Sequence, residues 1–154
     1  WPLVERHLHV AIARVLECDS VLLEDRTGER CIAHRLAVYL EDEFRGWHLD
    51  CEFNRQGEEG ERGTKRVSTS PDLPESREGQ GSVDVTPDII IHQRRKTRNL
   101  LAIEVKPSDS GEIPKDREKL RKYLTDPHLR YAFAVLAIYR NGVAAFEAVE
   151  RITA

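Results

Sequence analysis

The stretch TPDIIIHQRRKTRNLLAIEVKP (86–107) decides the fold. Two apolar runs, 89–91 and 100–103, flank a basic segment, RRKTR (94–98). Short apolar runs on either side of a polar turn read as the two strands of a buried hairpin. Each run carries charge at one end: Asp88 opens the first, and Glu104 and Lys106 close the second. With the turn centred on Lys96, Asp88 and Glu104 lie opposite one another, their Cβ atoms roughly 4.5–5.5 Å apart. A slip of one residue would undo this opposition. Side chains alternate along a strand, so Glu104 and Lys106 share a face. Charges beside a core must be paired, solvated or bound. A divalent cation relieves the repulsion of two close carboxylates. Mg²⁺ takes one or two carboxylates together with waters and phosphate oxygens, and the main-chain carbonyl of Val105 is a candidate third donor. Lys106 then stands where it can orient or activate a water for attack on phosphorus, as in metal-assisted hydrolysis. The plain alternative is a structural cluster in which Glu104 pairs with Lys106 and Asp88 caps a turn after Pro87.

Outward from the hairpin, the chain of 154 residues reads as a single domain, 1–154. Residues 4–17 carry Val4, Leu8, Ile12, Val15 and Leu16 at helical spacing. DRTG (25–28) breaks the chain, and Ile32, Leu36, Leu40 and Phe44 mark a second helix over 28–44, capped by Thr27 or Asp25. Alternation in WHLDCEFNR (47–55) predicts a strand, with Asp50 and Glu52 on its polar face. Residues 56–82 are rich in Gly, Ser, Pro and charge, and read as a long mobile loop. A helix is expected over 112–124 with Pro114 in its first turn, then a doubly apolar central strand over 131–139. Asn141-Gly142 signals a type I′ turn into a last strand. The sum is an α/β fold, a central mixed β-sheet flanked by helices.

Composition narrows the functions. A net charge of −3 argues against a generic nucleic-acid coat but not against an enzyme with a confined basic face. No apolar run approaches a membrane span and no signal peptide is visible, so a cytoplasmic protein without membrane contact is expected. Three isolated cysteines, Cys18, Cys31 and Cys51, lack zinc spacing, suit a reducing compartment and read as small buried hydrophobes. The six histidines have no metal-ligand spacing. Arg94, Arg95 and Lys96 at the hairpin tip are candidate phosphate contacts. So are Lys115 and Lys119, which with Lys122 form a basic stripe on the later helix, and Arg35 on the second helix is a further candidate.

Pro87-Asp88, a strand, a turn and Ile103-Glu104-Val105-Lys106 together resemble the PD-(D/E)xK nuclease superfamily, the restriction-endonuclease-like fold. The likeness extends over about residues 28–140, and its flavour is that of small stand-alone bacterial members. The resemblance implies Mg²⁺ or Mn²⁺ held by Asp88 and Glu104, and Lys106 as the catalytic lysine. It also implies a further acid from the helix before the first core strand, which is Glu29 here. The expected activity is phosphodiester hydrolysis, with DNA favoured over RNA and a homodimer suited to two-strand cutting. Two other classes stay open: a non-catalytic nucleic-acid or partner-binding domain on the same fold, and a small-ligand sensor or assembly subunit.

Overall fold

The computed structural model describes residues 1–51, 55–56, 63–64, 66–68, 82–84 and 86–154, with side chains for 1–51 and 86–154. Three helices come first: α1 (Pro2–Cys18), α2 (Ser20–Glu24) and α3 (Glu29–Glu43). Strand β1 (His48–Cys51) follows, then four very short strands, β2 (Arg55–Gln56), β3 (Gly63–Thr64), β4 (Arg66–Ser68) and β5 (Ser82–Asp84). The remainder is β6 (Ile89–His92), β7 (Asn99–Pro107), α4 (Ile113–Thr125), β8 (Phe133–Tyr139) and β9 (Phe146–Ile152).

The main sheet has the order β1-β6-β7-β8-β9. Its pairs are antiparallel except β7 with β8, which run parallel because α4 carries the chain across between them. The expected α/β architecture, a mixed sheet flanked by helices, is therefore the observed one. Helices α1 and α3 bury Val4, Leu8, Ile12, Ile32, Leu36 and Leu40 against the sheet face formed by Ile89, Ile91, Leu101, Ile103, Val105 and Val135. The opposite face, with Ile90, Ala102, Ala134 and Leu136, is covered by Leu120 and Tyr123 of α4 and by Leu129 and Tyr131 after it. Both faces of β6, β7 and β8 are thus buried, which is why these strands read as continuous apolar runs. Ile103 is fully buried beneath the helix pair. Ile103→Ala should cost about 2–5 kcal/mol in urea unfolding, from lost burial and the cavity left behind.

The hairpin register follows the spacing. Ile89 pairs with Ile103, Ile90 with Ala102 and Ile91 with Leu101, before a bulge shifts His92 onto Asn99. One residue beyond the last of these pairs, Asp88 falls level with Glu104.

Elsewhere the structure corrects the reading. Helix α2 occupies the segment just before the expected break, and the break itself is short. Thr27 does not cap α3; its hydroxyl donates to the Leu22 carbonyl at 2.8 Å, and Gly28 takes the cap position with no side-chain bond. The turn after β8 is not type I′, which needs positive φ at both central residues. Only Gly142 of the pair has it, at 77°, and the loop closes wider, with Arg140 N donating to the Ala145 carbonyl at 2.9 Å. Gly142 N is drawn instead to the Leu23 carbonyl at 2.8 Å, docking the loop on α2. All three cysteines are exposed, not buried. The segment read as one structureless loop contains the antiparallel pairs β2–β3 and β4–β5; its expected mobility concerns residues that lie outside the described ones.

Candidate active site

Strand β6 begins at Ile89, opposite Ile103, while β7 runs on to Pro107 against β8. On its β6 side, the end of β7 therefore borders a notch in the sheet. Asp88 stands in this notch and uses Oδ2 to accept a hydrogen bond from Val105 N at 2.8 Å. A strand residue directs its N–H and C=O to the same side, so the Val105 carbonyl faces the notch as well. The alternation of β7 turns Glu104 and Lys106 to the α4 face.

Helices then close in from both layers. Glu29, the first residue of α3, accepts a hydrogen bond from Lys106 Nζ on Oε1 at 2.6 Å. From α4, Asp116 places Oδ2 3.9 Å from the same ammonium. Lys119, one turn further along α4, sets Nζ 2.6 Å from Glu104 Oε1 and donates to the Thr86 carbonyl at 2.9 Å. The approach to Glu104 is an ion pair without the angle of a directed hydrogen bond: Glu104 Oε1 and Asp116 Oδ2 are both buried oxygens lacking one. Four carboxyl groups thus surround two ammonium groups.

Burial sets the electrostatics. Glu104 is 1% exposed, and burial, reinforced by the negative charge of Asp88, pushes its carboxyl up to about 8. Burial raises Glu29 and Asp116 too, offset in part by Lys106. For Lys106, burial works against the charge, but the hydrogen bond to Glu29 and the fields of Asp88 and Asp116 outweigh it and raise the ammonium to about 12. Lys106 is therefore a cation at neutral pH. In this arrangement it can orient a water or a phosphate oxygen by donating to it.

Of the residues expected from the sequence, Asp88, Glu104, Val105, Lys106 and Glu29 come together here. The hairpin tip does not. Arg94 lies six residues along the hairpin from Asp88, about 20 Å at strand rise. Its guanidinium is committed to Asp50, which it meets through Nε at 2.9 Å. Asp50 also meets His92 Nε2 at 2.7 Å, so it belongs to the far end of β6, while Glu52 lies outside the described residues. Burial would raise Asp50, yet Arg94 and His92 hold it below the usual carboxylate range. Arg95 and Lys96 are exposed at the same tip. Lys115 is exposed on the outer face of α4, and Lys122 pairs with Glu118 at 3.5 Å. Lys119 turns inward, so the supposed basic stripe is split. Arg35 is held by Asp19 at 2.9 Å and donates to the Tyr39 hydroxyl at 2.8 Å, a link between the helices and not a free phosphate ligand.

Sequence reading missed Asp116 and the inward role of Lys119. A signal for Asp116 existed: it lies four residues before Leu120, on the apolar row of α4. Tyr123 lies on that row too; its buried hydroxyl has no hydrogen bond, and burial with the nearby charge of Glu104 raises it.

The chain matches no family model, and no curated protein or solved structure matches it significantly. Among the described residues no helix is long and apolar enough to cross a membrane.

Proposed function

We propose that the chain is a metal-dependent phosphodiester hydrolase of the PD-(D/E)xK type, a nuclease acting on DNA in preference to RNA, in the cytoplasm. The observation that carries the reading is the buried Glu104 carboxyl level with Asp88, beside a strand edge that no strand among the described residues covers, in a cluster with more acids than lysines. Among the described residues, no three His, Cys, Asp or Glu side chains are gathered to hold an ion unaided. Two carboxylates and a main-chain carbonyl suit Mg²⁺ or Mn²⁺, which keep waters and take substrate oxygens for the remaining positions. Asp88, Glu104 and the Val105 carbonyl would hold the ion. Bound there, it would supply Lewis-acid stabilisation of the phosphoryl oxygens and a more acidic water.

The chain's own residues do the rest. Lys106 donates toward the attacking water or a non-bridging phosphate oxygen. Glu29 and Asp116 hold that ammonium in place and keep it charged. The hydrogen bond from Val105 N fixes Asp88 at the mouth of the notch. Two-strand cutting calls for a homodimer.

One observation favours a second reading. Both lysines already neutralise acids, as they would in a non-catalytic, structural cluster on a binding domain. Plasmid nicking separates the two. The wild-type protein should nick supercoiled DNA with Mg²⁺ or Mn²⁺ and not with chelator present, and Lys106→Gln should lower kcat with little change in cation affinity. Cation uptake without cleavage of DNA or RNA would support the binding domain.

A further inference from the structure

We propose that Lys119 is the resident counter-ion of the cation site, and that a divalent ion enters by displacing its ammonium from Glu104 and the Thr86 carbonyl. The inference rests on the cation-dependent reading above and names the group on this chain that the incoming ion displaces. Lys119 Nζ stands where two oxygens converge, Glu104 Oε1 at 2.6 Å and the Thr86 carbonyl at 2.9 Å. One carboxylate and one main-chain carbonyl are the donor chemistry of a hard cation. Glu104 Oε1 is fully buried and lacks a directed hydrogen bond, so the ammonium lies against it without satisfying its geometry.

The two lysines differ in how they are held. Lys106 is fixed by Glu29 at 2.6 Å and faces Asp116 at 3.9 Å, and neither contact occupies a Glu104 oxygen. Lys119 has a fifth of its side chain exposed and can swing outward along α4. It also ties the Thr86 carbonyl, two residues before Asp88, to Glu104 on β7. Displacing it frees oxygens on both chain segments that border the notch and leaves an ammonium at its rim, available to a phosphodiester.

Calorimetric titration of Mg²⁺ into wild type, Lys119→Gln and Lys106→Gln tests this, because the two variants remove the same charge from the same cluster. Lys119→Gln should bind Mg²⁺ at least about tenfold more tightly, given the size of a like-charge interaction at this range. Lys106→Gln should gain clearly less. Equal tightening in both variants, or none in Lys119→Gln, would overturn the inference. A second readout needs no variant. The reactivity of Lys119 toward an acetylating reagent, followed by mass spectrometry on wild type, should rise as Mg²⁺ saturates the protein. Bound Mg²⁺ with Lys119 labelling unchanged overturns this inference alone; a wild type that takes up no Mg²⁺ overturns the cation reading and this inference with it.

Discussion

Asp88→Asn is expected to abolish cation-dependent nicking while leaving the fold intact. Asp88 has two jobs that the substitution separates. Its Oδ2 accepts from Val105 N, and an asparagine oxygen can accept the same bond. Its charge faces Glu104 across the notch, and asparagine removes it. A cation that loses one of two anionic ligands forfeits several kcal/mol of transition-state stabilisation, about a 10²–10⁴-fold loss in rate. Thermal unfolding should change little, because the hydrogen bond survives. Wild-type nicking by the variant would remove Asp88 from the reaction and leave the cluster as a structural one.

Glu104→Gln should change how stability depends on pH. Burial raises the Glu104 carboxyl from its ordinary value of 4.5 to about 8. A carboxyl raised on folding holds its proton more tightly in the folded state. The stability tied to that proton is complete below about pH 4.5 and is lost as pH climbs through about 8. Wild type without cation should therefore weaken as pH rises from about 4.5 to about 8, by an amount of order 3–5 kcal/mol from this group. Glutamine carries no proton to lose, so this part of the slope disappears. Lys119, partly exposed, can reach solvent when its anion is gone. Glu29 and Asp116 are raised by burial as well, so a smaller slope of the same sign remains. Urea unfolding of both proteins against pH, with chelator present, reads the difference. Parallel profiles would mean that Glu104 is ionised throughout.

The hairpin was legible because its two apolar runs are bounded by charge, which marks where each strand begins and ends. The bulge after Ile91 absorbs the irregular turn, so the distal residues still meet as their spacing requires. The same spacing brought Asp88, Glu104 and Lys106 to one place. Glu29 could be named only through the family resemblance, since its contact with Lys106 depends on how α3 sits against the sheet. Asp116 and Lys119 were harder. Both lie on α4, and only the rotation of that helix decides whether a charge faces solvent or the core. The basic stripe at 115, 119 and 122 is regular in sequence, yet Glu104 draws Lys119 inward. Local signals failed where tertiary contacts outweighed them. Asn141-Gly142 forms a wider loop because Gly142 docks on α2, and α2 itself is too short to show a period.

Calorimetric titration of Mg²⁺ and Mn²⁺ into the wild-type protein tests the central claim most directly. The buried acids beside the end of β7 predict one saturable divalent site at millimolar cation or below. A flat titration throughout the millimolar range would contradict it, and Asp88, Glu104, Lys106 and Lys119 would then be a closed set of ion pairs.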